Sequence, residues 1–128
     1  NAPAKDWSAL KAKINANPLT VYFETGQASI NLSTDDKQKV ADMVDYLTHV
    51  EGSSLDLTGH SDNVGNRQSN IALSLKRANF VKDYLVKNGI GSTKINSKSK
   101  GPDEPIADNT TEEGKAKNRR TEFQLIGN

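Results

Sequence analysis

Two helix-length stretches of the sequence are amphipathic, and this pattern constrains the fold more than any other feature. The apolar residues of the first stretch fall within an arc of about 120° on a helical wheel. They are Val40, Met43, Val44, Leu47 and Val50. The second stretch runs from about Arg67 to Lys87 and ends at Asn88 and Gly89, which tolerate left-handed geometry. Because each helix has an apolar side to bury, both are expected to pack on a flat apolar surface.

Short strand-like segments alternate with these helices. Residues 19–23 are rich in β-branched and aromatic residues, and residues 53–60 alternate leucine with polar neighbours. Residues 93–101 are a weakly apolar strand, and residues 119–126 are the closing strand. Residues 102–118 are expected to form a long surface loop, because their composition is typical of an exposed connection. The order predicts an α+β sandwich of βαβαββ topology, in which two long helices pack on one face of a mixed four-stranded sheet.

The N-terminal residues are largely polar except for Trp7, Leu10 and Ile14, which recur at helical spacing. They predict a short docking helix that ends before Pro18. We therefore expect residues 1–18 to form an N-terminal extension that precedes the sandwich.

The composition limits the kinds of partner that this chain can bind. It has 128 residues, with 17 basic side chains, 16 acidic ones and no cysteine. The formal charge of +1 gives no general electrostatic reason to bind nucleic acid or an anionic membrane. We expect no nucleic-acid partner, and contact with a membrane only through parts of a longer protein that this sequence lacks. The absence of cysteine excludes disulfides, zinc–thiolate sites and thiol nucleophiles.

One charged residue lies where an apolar side chain is expected. On the wheel of the second helix, two apolar arcs enclose a polar strip of Asn70, Ser74 and Arg77, although the opposite side carries the other charges. An unpaired guanidinium among apolar neighbours is unfavourable, so Arg77 is expected to meet an anion or a set of carbonyl oxygens. A structural ion pair with Asp62 or Asp56, a packed stem whose head reaches water, and a ligand-facing cation all satisfy this requirement.

Asp62 lies in the turn between a strand and the second helix, where backbone amides point outward. Its carboxylate could simply satisfy those amides as an Asx-turn or a helix cap. If the turn folds back over the first three turns of the helix, however, Asp62 and Arg77 share one pocket. An anion beside a cation would recognise a zwitterion, which is a group that carries both charges.

Three blocks of the sequence resemble one family. Residues 58–85, TGHSDNVGNRQSNIALSLKRANFVKDYL, resemble the signature of the OmpA-like peptidoglycan-binding domain, the type found in outer-membrane protein A, peptidoglycan-associated lipoprotein and flagellar stators. Residues 101–123, GPDEPIADNTTEEGKAKNRRTEF, resemble its closing motif, and residues 21–30, VYFETGQASI, resemble its first strand and loop more loosely. The resemblance covers about residues 19–126, which are therefore the expected domain. Four positions depart from the usual family residues, namely Glu24, Gly26, Ser61 and Ser69.

The resemblance implies that the chain binds the peptide stem of peptidoglycan without cleaving it and without a cofactor. It implies that Asp62 and Arg77 hold the meso-diaminopimelate residue, since they match the aspartate of the family's G-H-T-D turn and the arginine of its following helix. Diaminopimelate is lysine with a carboxylate beside its distal amine, so Asp62 would take the ammonium and Arg77 the carboxylate in a bidentate fork. The implied location is the periplasm, with the parent protein anchored in the outer or inner membrane.

The same resemblance assigns three further residues to the site for the stem peptide. Asn70 matches the asparagine at the helix start and would hydrogen-bond the ligand or a neighbouring site residue, or else bridge turn and helix as a structural amide. Val64 would frame the site through its backbone. Arg120 would help to hold the carboxylates of the stem, because strand alternation groups Arg119 with the apolar Phe123 and leaves Arg120 on the other side. The alternative for Arg120 is a solvated basic patch.

Two rival classes of function are weighed against wall binding. A wall hydrolase would need a metal site or an activated nucleophile, but His49 and His60 are the only histidines and a catalytic zinc usually needs three protein ligands. No nucleophile-elbow or phosphate-loop motif is present, so we expect no catalytic residue, no metal site and no enzyme. The other rival is a protein-interaction module of the same fold that does not bind the wall.

Overall fold

The computed structural model describes residues 6–29 and 31–126. Its helices are α1 (Trp7–Ala16), α2 (Thr34–His49), α3 (Arg67–Lys87) and α4 (Glu112–Asn118), and its strands are β1 (Thr20–Tyr22), β2 (Ser54–His60), β3 (Ile95–Gly101) and β4 (Arg120–Ile126), with a 3-10 turn at Ser92–Lys94. The first five residues of the predicted extension, and Ile30 of the loosely matching block, lie outside the described residues. No helix in the described part combines the length and the apolar character that a membrane crossing requires.

The four strands form one mixed sheet in the order β1-β4-β2-β3. β2 and β3 are parallel and are joined through α3, whereas β4 is antiparallel to both of its neighbours, β1 and β2. Tyr22 of β1 lies opposite Arg120, and Gly59 of β2 lies opposite Thr121. The ends of β1 and β2 and the start of β4 therefore lie side by side at one end of the sheet, here called the loop end. The predicted α+β fold with a mixed four-stranded sheet is confirmed.

One apolar core lies between the sheet and the two long helices. Its buried members include Val40, Met43 and Leu47 of α2, Ala78, Val81 and Leu85 of α3, and Val21, Leu55, Leu57 and Phe123 of the strands. Burial of each large apolar side chain stabilises the fold by about 1.5–3 kcal/mol relative to exposure. The apolar side predicted for the first long helix therefore faces the core, and Val44 packs against the edge of the core.

Local cap chemistry determines where the long helices begin and end. The Ser33 hydroxyl accepts a hydrogen bond from an amide in the first turn of α2, and the Asn66 side-chain oxygen accepts two in the first turn of α3. Gly89, with φ of 109°, follows the end of α3 and adopts a left-handed conformation that favours glycine. The bounds of α3 agree with those predicted from the sequence.

The predicted N-terminal helix is present as α1 and packs on α2. Trp7 stacks on His49 with ring centroids 5.0 Å apart and meets the ring of Tyr46 edge-on at 6.3 Å. Ile14 packs against the core from the same helix. The helical spacing of Trp7 and Ile14 in the sequence thus corresponds to the side of α1 that contacts the rest of the protein.

The long loop predicted for residues 102–118 is partly wrong, because its last seven residues form α4. Thr111 caps this helix by accepting a hydrogen bond from the Gly114 amide at 2.9 Å. The Asn118 carboxamide then holds the preceding loop through four hydrogen bonds to residues 106–109. α4 has no apolar stripe and contains a glycine, so hydrophobic periodicity could not reveal it.

Candidate functional site

Asp62, Arg77 and Arg119 lie together at the loop end of the sheet, and we call them the charged cluster. Asp62 follows β2, Arg77 projects from the middle of α3, and Arg119 directly precedes β4. The polar strip predicted on α3 is buried against the rest of the protein, since Asn70, Ser74 and Arg77 are all buried. The cluster therefore draws on three elements that are distant in sequence.

The Arg77 guanidinium is completely buried and is bound by carbonyl oxygens. Its Nε donates to the Gln27 carbonyl (2.8 Å), its Nη1 to the His60 carbonyl (3.0 Å) and its Nη2 to the Glu24 carbonyl (3.3 Å). The expectation that Arg77 meets an anion or a set of carbonyls is confirmed for the carbonyls. No carboxylate among the described residues hydrogen-bonds Arg77, so the structural ion pair that was one alternative does not form.

The surroundings of Arg77 act on its charge in opposing directions. Its guanidinium carbon lies 5.4 Å from the ring centroid of Phe23, which is within the range of a cation–π contact. Burial lowers the pKa of Arg77 to about 10, while the nearby charge of Asp62 opposes this shift and that of Arg119 adds to it. Arg77 is therefore protonated at neutral pH, and Asp62 is close enough to influence it.

Asp62 is held by one backbone amide and one arginine. Its Oδ1 accepts a hydrogen bond from the Val64 amide at 3.1 Å, which is the Asx-turn expected for an aspartate in this position. Its Oδ2 lies 3.1 Å from Nη1 of Arg119, and both of these side chains are 9% exposed. A carboxylate has about four acceptor sites, so Asp62 retains capacity for a further donor.

Arg119 is a member of the cluster that the sequence prediction did not include. Its Nε donates to the Phe23 carbonyl at 2.9 Å, and the Phe23 amide donates to the Arg119 carbonyl at 2.8 Å. Arg119 thus ties the end of β1 both to the start of β4 and to Asp62. Strand alternation was the signal that could have found it, because it groups Arg119 with the buried Phe123.

Arg120 is not brought to the charged cluster. Its Nε lies 2.8 Å from Oε2 of Glu122, and its Nη2 donates to the Glu104 carbonyl at 3.0 Å. Its side chain is 2% exposed, so Arg120 does not form the alternative solvated patch. Arg119 and Arg120 therefore face apart, as alternation predicts, and Arg119 is the one that reaches the cluster. A ligand contact of Arg120 stays a prediction.

Asn70 and Val64 form the turn beside Asp62. The Nδ2 of Asn70 donates to the Val64 carbonyl at 2.9 Å, which is the bridge between turn and helix named as its structural alternative. Within the part of the chain that the structure describes, no donor reaches Oδ1 of Asn70. Val64 contributes its amide and its carbonyl to these contacts while its side chain is exposed. A direct ligand contact of either residue stays a prediction.

His60 contacts both the charged cluster and Glu122, the ion-pair partner of Arg120. Its carbonyl accepts from Arg77, whereas its buried ring places Nε2 3.3 Å from Oε1 of Glu122. Among the described residues, Nδ1 has no hydrogen-bond partner, and Nε2 has only the Glu122 carboxylate near it. Burial lowers the pKa of His60 and the charge of Arg120 lowers it further, against the opposing charge of Glu122. The neutral imidazole is therefore the favoured form.

The charged cluster is closed in this structure but retains binding capacity. Arg77 has five N–H groups and three of them donate to carbonyls, so two have no acceptor among the described residues.

Over residues 6–29 and 31–126, no three His, Cys, Asp or Glu side chains form a group that could hold a metal ion. A groove of about 310 Å³ lies elsewhere, between α1 and α2, and none of its lining residues belongs to the cluster.

Comparison with known proteins shows what this chain resembles. Outer membrane protein Omp38 of Acinetobacter baumannii is 36% identical over 110 residues, which are 85% of this chain and 30% of that protein. The peptidoglycan-binding protein ArfA of Mycobacterium tuberculosis is 32% identical over 123 residues, which are 96% of this chain and 36% of that protein. The chain thus spans about a third of the length of these relatives.

A solved structure has the same architecture. The crystal structure of the peptidoglycan-associated lipoprotein from Burkholderia pseudomallei superposes with a TM-score of 0.76 at 26% identity, covering 84% of this chain and 89% of that one. Residues 22–119 match the family model described as the OmpA family, and these residues include the whole charged cluster. The chain belongs to the OmpA family.

Proposed function

We propose that this chain is a non-catalytic module that binds peptidoglycan and anchors its parent protein, or a larger envelope assembly, to the cell wall in the periplasm. The specific ligand is the meso-diaminopimelate residue of the stem peptide. Asp62 receives the distal ammonium of this residue and Arg77 receives its distal carboxylate. Neither a cofactor nor bond cleavage takes part.

The proximity of Asp62 and Arg77 carries this proposal. Asp62 keeps unused acceptor sites, and Arg77 keeps two unused N–H groups. An acceptor and a donor of opposite charge, both shielded from water, suit a ligand end that carries an ammonium and a carboxylate on one carbon. A stem with lysine instead lacks the carboxylate and leaves Arg77 unmatched. Its binding should be weaker by on the order of 2–5 kcal/mol, or tens- to thousands-fold.

Ligand entry requires the segment 24–27 to move. Arg77 is completely buried, so its unused N–H groups are not accessible while the carbonyls of Glu24 and Gln27 accept from its Nη2 and Nε. Hydrogen bonds to a charged acceptor are about twice as strong as those between neutral groups, so a carboxylate would compete well with these carbonyls. The segment lies beyond the end of β1, and Gly26 within it has φ of 72°. The segment belongs to no strand, so its rearrangement leaves the sheet intact.

The relatives support the general part of the proposal, which is binding to peptidoglycan. ArfA is named as a peptidoglycan-binding protein, and the Burkholderia lipoprotein as peptidoglycan-associated. Neither of these names describes an enzyme, which supports a binding role. A single small zwitterionic contact is weak, but the wall repeats its stem peptides densely, so rebinding makes a weak site an effective tether.

Sedimentation with purified sacculi tests the proposal. The wild-type chain should pellet with the sacculi. Asp62→Asn and Arg77→Lys should stay mainly in the supernatant, because the first loses the charge that binds the ammonium and the second loses the guanidinium fork. Arg67→Gln is the matched control, since Arg67 pairs with Asp103 on the exposed surface, and it should pellet like the wild type.

Each other outcome of the sedimentation points to a different conclusion. Undiminished pelleting of both site variants would contradict the assignment of Asp62 and Arg77. A wild-type chain that stays in the supernatant would contradict wall binding and favour the protein-interaction module. Soluble wall fragments released during incubation would instead indicate a hydrolase.

A further inference from the structure

The charged cluster contains two cations and only one anion. Arg77, Arg119 and Asp62 are all almost completely buried. Arg120 is equally buried but pairs with the carboxylate of Glu122. Buried charges are usually balanced by a partner, because removing an ion from water is costly. The second cation of the cluster therefore needs a counter-ion that the cluster itself does not provide.

The hydrogen bonds show which arginine lacks a counter-ion. Arg119 places Nη1 3.1 Å from Oδ2 of Asp62 and forms a direct ion pair with it. Among the described residues, Arg77 donates only to the carbonyl oxygens of Glu24, Gln27 and His60, which carry no net charge. The pKa of Arg77 is lowered to about 10 by burial, so the nearby charge of Asp62 does not offset the burial fully. Asp62 thus neutralises Arg119 and leaves Arg77 in surplus.

We propose that Arg119 is a specificity-determining residue: as the counter-ion of Asp62, it leaves Arg77 as a surplus cation that demands an anionic ligand. This inference rests on the proposed function and deepens it, because it names the ligand group that dominates recognition. The ligand carboxylate balances the surplus charge of Arg77. The ligand ammonium, by contrast, has to share Asp62 with Arg119. The carboxylate is therefore the main determinant of binding and the ammonium is secondary.

A purely structural role for Arg119 makes a different prediction. The hydrogen bond from Nε of Arg119 to the Phe23 carbonyl ties β1 to β4. Loss of this tie alone would lower stability and weaken every ligand by the same factor. Loss of a counter-ion instead changes the ratio between the affinities for ligands with and without the carboxylate. That ratio is the quantity to measure.

Three synthetic stem tripeptides separate the two charged groups of the ligand. They differ only at the distal end of the third residue, which is meso-diaminopimelate with both groups, lysine with the ammonium alone, or 2-aminopimelate with the carboxylate alone. Calorimetric titration of the full wild-type chain should rank diaminopimelate first, aminopimelate second and lysine last. The aminopimelate peptide should bind more tightly than the lysine peptide by on the order of tenfold or more.

Variants of Arg119 test its part in this ranking. In Arg119→Gln, Asp62 loses its built-in counter-ion and becomes available to neutralise Arg77. The ratio between the dissociation constants of the lysine and aminopimelate peptides should then fall by on the order of tenfold. Arg119→Lys keeps the charge and should keep a ratio near that of the wild type. Arg67→Gln removes an exposed arginine charge and should leave the ratio unchanged.

The outcomes distinguish this inference from the proposed function. Two results would overturn the role of Arg119: an unchanged ratio in a folded Arg119→Gln variant, or equal binding of the lysine and aminopimelate peptides by the wild type. In either case, binding of the diaminopimelate peptide would still support the proposed function. If none of the three peptides binds the wild type, both proposals are overturned. If Arg119→Gln does not fold, as judged by circular dichroism and thermal melting, the wild-type ranking decides.

Discussion

At the scale of single residues, the buried His60 makes the stability of the fold depend on pH. Its pKa lies below the ordinary value of 6.5, because burial and the charge of Arg120 disfavour the imidazolium more than Glu122 favours it. Just below pH 6.5 the unfolded chain therefore binds more protons than the folded chain. The free energy of unfolding should fall as the pH falls through this region, by up to about 1.4 kcal/mol per pH unit.

Denaturant titrations at about pH 7.5 and about pH 5.5 measure this loss. His60→Gln should show much less of it, because the titrating group is absent. The carboxyl groups of Asp56, Asp103 and Asp108 have pKa values lowered from 3.8 and so titrate outside this range. An equal loss in wild type and variant would show that another group is responsible.

Gly59 is required because α3 crosses β2 at this residue without room for a side chain. A Cβ atom at Gly59 would lie 1.7 Å from the Ser74 carbonyl oxygen, which is helix backbone and cannot rotate away. Gly59→Ala should lower the free energy of unfolding by at least about 2 kcal/mol in denaturant titrations. Gly91→Ala is the control, since a Cβ atom there meets nothing within 4 Å. Similar small effects in both variants would contradict the close approach of α3 to β2.

The residues of the charged cluster differ in how far sequence alone can find them. Asp62 follows a strand and Arg77 interrupts an apolar arc, so both have a local signal. Arg119 has none of comparable strength, because its contact with Asp62 spans 57 positions and depends on which strands are neighbours. The carbonyls of Glu24 and Gln27 cannot be foreseen as partners of Arg77, since every residue carries a backbone carbonyl.

At the scale of the elements, Asn118 connects α4 to the loop that precedes it. Its buried carboxamide accepts from the amides of Ile106 and Ala107 and donates to the Ala107 carbonyl and to Oδ1 of Asn109. Asn118→Asp replaces the donating NH2 group by a charged oxygen that repels both acceptors. The free energy of unfolding should fall by at least about 2 kcal/mol.

Hydrogen exchange locates the effect of Asn118→Asp within the molecule. The amides of Ile106 and Ala107 should exchange faster in the variant, because repulsion of the Ala107 carbonyl and of Oδ1 of Asn109 moves the loop away from residue 118 and misaligns these two amides with their acceptor. Lys117→Ala changes the exposed neighbour of Asn118 and should leave both amides as protected as in the wild type. Unchanged protection in Asn118→Asp would mean that the loop is held by other contacts.

The helices show why long patterns are predictable and short ones are not. α3 spans 21 residues with signals at both ends, and its predicted bounds agree with the structure. α4 spans 7 residues, and only Thr111 followed by Glu112 and Glu113 marks its start. A cap signal without an apolar stripe is common in loops, so it could not decide between a loop and a helix.

At the scale of the whole molecule, the sequence predicts the α+β class and the mixed sheet but not the order of the strands. Alternation along a strand shows which side chains share a face, but it does not show which strand lies beside it. The closing strand β4 lies between β1 and β2. This position brings Arg119 to Asp62 and to the end of β1. The geometry of the cluster therefore depends on the strand order, which local sequence patterns do not reveal.

The relation of α1 to the rest of the molecule leads to a prediction about truncation. The buried core residues lie between Leu19 and Phe123, whereas α1 adds Ile14 at the edge of the core and Trp7 against Tyr46. A chain that begins at Pro18 should therefore still fold. Its free energy of unfolding should be lower by about 3 kcal/mol, because two apolar side chains no longer gain from burial. Denaturant titrations of the full and truncated chains measure this difference.

Binding provides the second measurement for the truncated chain. No hydrogen bond of the charged cluster involves α1, so sedimentation with sacculi should be the same for both chains. Trp7→Ala in the full chain should reproduce much of the loss of stability, because it removes the contacts of the indole ring with Tyr46 and His49 of α2. A truncated chain that fails to fold would show that α1 is integral to the core, and the predicted boundary between residues 18 and 19 would then be wrong.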